Sequence, residues 1–162
     1  MIKPINGFKA QRSKAGFPQL PAGCYVAQIK RAWVEGDAPY QNLMLRVEIT
    51  EGEHAGYYTK RWQHDSENAG RYDPKYKGDF RLRVPVEGSE YFESNNRKLG
   101  DAVAKIEESN PGYHWDWNES SLVGLYIGIN VQPGEYNGVY FTKIGGLESV
   151  EDVRSGKAVP AT

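Results

Sequence analysis

Residues Leu43 to Ile49, LMLRVEI, place Leu43, Leu45, Val47 and Ile49 on one side of an extended chain and Met44, Arg46 and Glu48 on the other. That period of two is the signature of a β-strand with one face buried. Several other stretches follow the same rule. After the turn chemistry of Leu20-Pro21-Ala22-Gly23, the segment CYVAQIKRAWVE sets Tyr25, Ala27, Ile29 and Trp33 against more polar neighbours and predicts a first strand. A turn from Glu51 to Gly56 leads to YYTKRWQ, predicted as a third strand in which aromatics and bases alternate with little aliphatic content. FRLRVPV then sets Phe80, Leu82 and Val84 against Arg81 and Arg83. LVGLYIGINVQPGEYNGVYFTKI predicts two strands joined near Glu135 to Gly138, with Asn137-Gly138 as the hairpin turn.

Only one segment has a strong helical period. In SNNRKLGDAVAKIEES the apolar positions Leu99, Ala102, Val103 and Ile106 form a stripe, and Ser109-Asn110-Pro111-Gly112 ends it. Ser149 can cap a short helical turn through Asp152, closed by Gly156. Three strands, a further strand and a helix, then a terminal hairpin make the element order of a mainly β fold. We expect an OB-type five-stranded Greek-key barrel with one α-helix between strands and a short C-terminal helical turn. Residues 1–19 carry Gly, Pro, Ser and Lys without apolar periodicity and are expected to form a basic N-terminal arm. Residues 20–157 form the single barrel domain and 158–162 a short tail. With 162 residues, 20 of them aromatic, there is bulk for one core and little room for a second.

Several function classes lack their residues. No run approaches the ~18 apolar residues of a membrane helix, and the first residues lack the apolar stretch of a signal peptide, so a cytoplasmic protein without membrane contact is expected. The single cysteine, Cys24, excludes an internal disulfide and a Cys-rich zinc site. His54, His64 and His114 have neither metal-ligand nor triad spacing. No phosphate-binding glycine motif follows a strand. The chain is therefore read as a non-enzyme, with no cofactor, no metal and no catalytic residue.

The net charge of −1 conceals a segregation along the chain. Residues 1–34 sum to +6, residues 35–56 to −4, residues 57–83 to +3, and residues 84–162 to −6. Clustered bases build a local field that attracts polyanions even on a neutral protein. The basic block 57–83 also holds six aromatics, Tyr57, Tyr58, Trp62, Tyr72, Tyr76 and Phe80. A single-stranded nucleic acid presents base faces and phosphates side by side, so its binder needs flat rings beside cations. The long loop 64–79 belongs to the same block, and loops of that length are often functional.

We expect Arg46, Lys60, Arg61, Arg71, Lys75, Lys77, Arg81 and Arg83 to hold phosphates, and Tyr58, Trp62, Tyr72 and Tyr76 to stack bases. The alternative is a structural or protein-interaction module without nucleic-acid binding, with the same aromatics at a protein interface. A third reading, a small-molecule or carbohydrate site, would use the rings without the bases. Trp115 and Trp117, flanked by acids, suit packing or a partner contact.

Three stretches carry a resemblance: LPAGCYVAQIKRAWV; LMLRVEITEGEHAGYYTKRW; and LVGLYIGINVQPGEYNGVYFTKIGGLESVEDVRSG. Together they resemble a group of phage and prophage OB-fold single-stranded-DNA-binding proteins over most of residues 20 to 157. The LPxGxY opening, the I-x-E-G-x-x-x-G-Y element and the closing SVEDVRSGK are the most specific parts. The resemblance implies an OB barrel that coats single-stranded DNA during phage replication or recombination in the bacterial cytoplasm, beside other replication or recombination proteins. For the alternative reading it implies a structural or protein-interaction module of a phage assembly, and self-association into a homo-oligomer is compatible with either.

Overall fold

Strands β1 (Gly23–Glu35) and β2 (Asn42–Ile49) pair antiparallel, and the four aliphatic side chains of β2 are all 5% exposed or less. The computed structural model describes residues 1–8, 10, 16–71 and 73–160. Within them, β3 (Asp79–Arg83) pairs with β2, β4 (Tyr126–Tyr136) with β1, and β5 (Val139–Glu148) with β4, all antiparallel. The result is a five-stranded sheet in the order β3-β2-β1-β4-β5. The expected barrel is met as far as this open sheet: among the described residues no ladder joins β3 to β5. The two edge strands instead flank a cleft of about 600 Å³ shared with the long helix.

The buried face of the sheet is the alternating one. Ala27 and Ile29 of β1, the aliphatics of β2, Leu82 of β3 and Ile127, Ile129 and Val131 of β4 form a single core. The helical stripe docks onto it. Helix α2 (Phe92–Ser109) buries Leu99, Ala102 and Ile106, and its Lys105 Nζ donates to the Leu147 carbonyl on β5 at 2.9 Å. Burying side chains of the size of Leu99 and Ile106 is worth about 1.5–3 kcal/mol each. The hairpin turn forms at Asn137 (φ 50°) and Gly138 (φ 79°), the paired left-handed conformations that an Asn-Gly turn supplies. Helix α3 (Val150–Arg154) starts as expected, Ser149 accepting from the Asp152 backbone N–H at 3.2 Å.

Two expectations are overturned. Residues 57–63 are not a third strand: they open a helix, α1 (Tyr57–Glu67), which also takes the first residues of the expected 64–79 loop. Its first turn is held from outside the segment. The carboxylate of Glu48 on β2, 6% exposed, accepts from the backbone N–H groups of Tyr58 (3.0 Å) and Thr59 (2.7 Å) as well as from Ile49 (2.9 Å). Those of Tyr58 and Thr59 are donors that a helix start leaves without intrahelical partners, and a negative charge there also complements the helix dipole. Gly56 turns the chain into the helix at φ 80°. The Tyr57 and Tyr58 rings then go inward, and Arg61 follows Tyr57 at one helical turn, its Nη1 donating to the Tyr57 hydroxyl at 3.2 Å.

The second correction concerns Trp33. Strict alternation would place it on the buried side with Ile29. Instead the register slips between Ile29 and Arg31, where Ile29 opposes Val47 but Arg31 opposes Arg46. This bulge adds one residue to β1 and exchanges its faces. Arg31 and Trp33 thereby join Arg46 and Met44 on the outer side of the sheet.

Candidate nucleic-acid interface

The outer face of β1, β2 and β3 gathers cations and rings in one layer. Arg46 is its centre. Its guanidinium carbon lies 5.3 Å from the Trp33 ring centroid and 4.7 Å from that of Tyr76, so the cation is stacked against both rings. Arg31 covers Trp33 as well, at 4.5 Å. Arg46 is held in plane by a two-point contact with Asp79 across the β2–β3 ladder, Nε to Oδ1 at 2.8 Å and Nη2 to Oδ2 at 3.0 Å. That hydrogen bond, ahead of the opposing effect of burial, raises the Arg46 pKa. Trp33 Nε1 is fixed by Glu35 at 3.0 Å.

Tyr76 reaches this layer from the loop after α1. Its hydroxyl donates to the Val47 carbonyl at 2.8 Å, and its ring lies 6.0 Å from that of the buried Tyr58. Burial pushes the Tyr76 phenol pKa up, with the nearby Glu48 carboxylate adding to it, so the ring is a neutral platform at any ordinary pH. Gly78 makes this approach feasible. A Cβ there would lie 2.6 Å from the Val47 carbonyl oxygen and 2.7 Å from the Tyr76 ring. Beside the Arg46 stack runs a groove of about 730 Å³, lined by Trp62 and Thr59 of α1, Lys75 and Tyr76 of the loop, Arg46 and Met44 of β2, and Arg81 of β3. Trp62 is 44% exposed, and Lys75 and Arg81 are open to solvent. Glu35 and Asp79 are the acids on the groove wall, and Asp79 is already committed to Arg46.

The structure therefore brings together Arg46, Trp62, Lys75, Tyr76 and Arg81 of the residues predicted from sequence. It separates others. Tyr58 is 4% exposed and supports Tyr76 from within instead of offering a stacking face. Lys60 and Arg61 turn to the flank of α1 that carries Phe17, Pro18 and Gln19, where Lys60 lines a separate hollow and Arg61 lies 3.7 Å from Asp65. Arg71 and Lys77 are exposed but do not line the groove. Arg83, at the end of β3, lines a neighbouring hollow between the exposed rings of Tyr40 and Tyr91. Tyr72 lies outside the described residues.

Sequence reasoning missed Arg31 and Trp33 as site residues. A signal was present: continued alternation from Ile29 would have buried Arg31, and a base at a core position marks a slipped phase.

No protein-family model matches the chain, and no curated protein matches it either. Among the described residues no three His, Cys, Asp or Glu side chains are grouped to hold a metal ion, and no helix is long and apolar enough to cross a membrane.

Proposed function

We propose that this protein binds single-stranded DNA without marked sequence preference, along the outer face of β1, β2 and β3, in phage or prophage replication or recombination. The observation that carries the reading is Arg46 stacked between Trp33 and Tyr76 beside the exposed ring of Trp62, with Lys75 and Arg81 on the same groove. A base inserted against Trp62 meets a π-face, and the phosphates on either side meet Lys75 and Arg81. Every base has such a face, so stacking tolerates any sequence and is worth about 1–3 kcal/mol per base.

The topology supports this reading. The order β3-β2-β1-β4-β5, with α2 between β3 and β4, is that of a five-stranded Greek-key barrel opened between its third and fifth strands. In OB-folds, oligonucleotides lie against the face of the second and third strands, the position of Arg46 and Arg81 here. Trp62 and Trp33 provide the assay. Titration with oligodeoxythymidylate should quench tryptophan fluorescence, and affinity should fall as salt rises, because bound phosphates release counterions. Oligouridylate and duplex DNA serve as competitors. Saturable quenching by the single strand, weakened by salt and poorly competed by the duplex, is the expected result. Absence of quenching, or binding indifferent to salt, defeats the proposal.

A further inference from the structure

At another place on the molecule, Val34, Leu43, Val84, Leu99, Trp115 and Trp117 line a small cavity of about 140 Å³. That volume is close to the ~150 Å³ of an apolar cavity that admits one benzene ring. Its outer wall is unusual. Trp117 is 71% exposed and sits at φ 66°, a left-handed conformation that a bulky residue seldom adopts without a compensating function. The indole of Trp117 lies 5.9 Å from that of Trp115, whose own Nε1 is buried with no hydrogen-bond partner among the described residues. The surroundings are acidic. Glu119 lines the cavity, Glu107 accepts from the Trp115 backbone N–H at 2.9 Å, and residues 107–122 contain four acids and no Lys or Arg.

The same chain carries a segment of complementary chemistry. Residues 1–14 contain four bases and no acid. Ile2, Ile5 and Phe8 are 91%, 72% and 74% exposed, far above what an isolated apolar side chain needs to be in a folded protein. Phe8 stands at the end of a turn, its backbone N–H donating to the Ile5 carbonyl at 3.3 Å with Gly7 at φ 85°. The turn thus presents one ring on a basic segment.

We infer that the Trp115–Trp117 cavity receives Phe8 of a second copy of this chain, the positive charge of the N-terminal sequence complementing the acidic rim. Arm and cavity are different surfaces, so a single contact leaves one free arm and one free cavity, which either a third copy or a reciprocal exchange within the pair can fill. Such an association closes as an arm-exchanged dimer or continues as an open chain, and the concentration series tells the two apart. It is independent of the nucleic-acid groove, and it is tested without nucleic acid.

The test is sedimentation velocity on the full chain over a concentration series, with Phe8→Ser and Trp117→Gly as the two variants. Glycine at residue 117 suits the positive φ, so this variant loses the cavity wall without straining the backbone. Val34→Glu is a second cavity variant should Trp117→Gly unfold. The wild-type protein is expected to sediment faster with rising concentration, and each variant alone to stay at the 18.2 kDa monomer. An equimolar mixture of the two variants should give a dimer and nothing larger, because the intact arm of one fills the intact cavity of the other and leaves two damaged surfaces. A wild-type protein that stays monomeric overturns the proposal, as does association that either variant retains or a mixture that forms no dimer. If Phe8→Ser alters the tryptophan fluorescence of a monomeric protein, the arm fills its own cavity and the intermolecular contact is wrong.

Discussion

Replacing Lys75 and Arg81 together by glutamine tests the proposed groove by its electrostatics. Both side chains are exposed, both line the groove, and neither has a salt-bridge partner among the described residues, so their loss should leave the fold intact. Arg46 is left out of the count of phosphate ligands because Asp79 already neutralises it. Four bases then remain on or beside the outer face: Arg31, Lys75, Arg81 and Arg83. For single strands each neutralised phosphate contributes about −0.7 to the slope of log affinity against log salt, so the wild-type slope should be about −2.8 and that of the double variant about −1.4. Between 50 and 200 mM salt the wild-type affinity should therefore fall about 50-fold and the variant's about 7-fold. The assay is tryptophan quenching by oligodeoxythymidylate at the two salt concentrations, with a melt of each protein to verify folding. Equal slopes in the two proteins would refute the placement of phosphates at Lys75 and Arg81, even if both proteins still bound.

Three further substitutions separate the roles of neighbouring residues. Trp62→Ala should weaken oligonucleotide binding by about 1–3 kcal/mol through loss of a stacking face, whereas Lys60→Ala, on the other flank of α1, should leave affinity within twofold in the same titration. Glu48→Gln should lower stability by about 1–3 kcal/mol in urea unfolding, since an amide cannot accept all three of the backbone N–H groups that the carboxylate now takes and leaves a buried donor without an acceptor. Gly78→Ala should cost about 1–3 kcal/mol by overpacking, because the new methyl meets the Val47 carbonyl and the Tyr76 ring below 3.0 Å; it should also weaken binding by displacing that ring from Arg46.

The strands were readable from the sequence because their cause is local. In β2 every second side chain enters the core, and the alternation of Leu43, Leu45, Val47 and Ile49 carries that fact along the chain itself, although Met44 and Glu48 on the outer face are covered too. The same holds for the α2 stripe and for Asn137-Gly138, where the turn needs two left-handed residues side by side. The site was harder to read because its causes are not local. Residues 57–63 mix aromatics and bases without an aliphatic stripe, and the one helical hint within them is the spacing of Tyr58 and Trp62. The deciding group is Glu48, ten residues before Tyr58 and on another element, whose carboxylate holds the first-turn N–H groups.

The consequence for function follows from geometry. In a strand Tyr58, Lys60 and Trp62 would share one face. In a helix each residue turns by about 100°, so Lys60 lies about 200° from Tyr58 while Trp62 returns to within about 40° of it. Helix formation thus takes Lys60 out of the groove, keeps Trp62 at its wall and sinks Tyr58 beneath Tyr76. The one-residue bulge after Ile29 acts in the opposite sense, delivering Arg31 and Trp33 to the outer face that simple alternation would deny them. Rings and cations were present in the right numbers throughout; which of them meet is decided by one long-range carboxylate and one extra residue in a strand. Deleting Lys30 removes that extra residue: Arg31 then follows Ile29 directly, as Arg46 precedes Val47 on the facing strand, and Arg31 and Trp33 should stay on the outer face of a regular ladder. If that deletion instead buried Trp33, or abolished oligonucleotide binding by a folded protein, one extra residue would not be what sets the phase of β1.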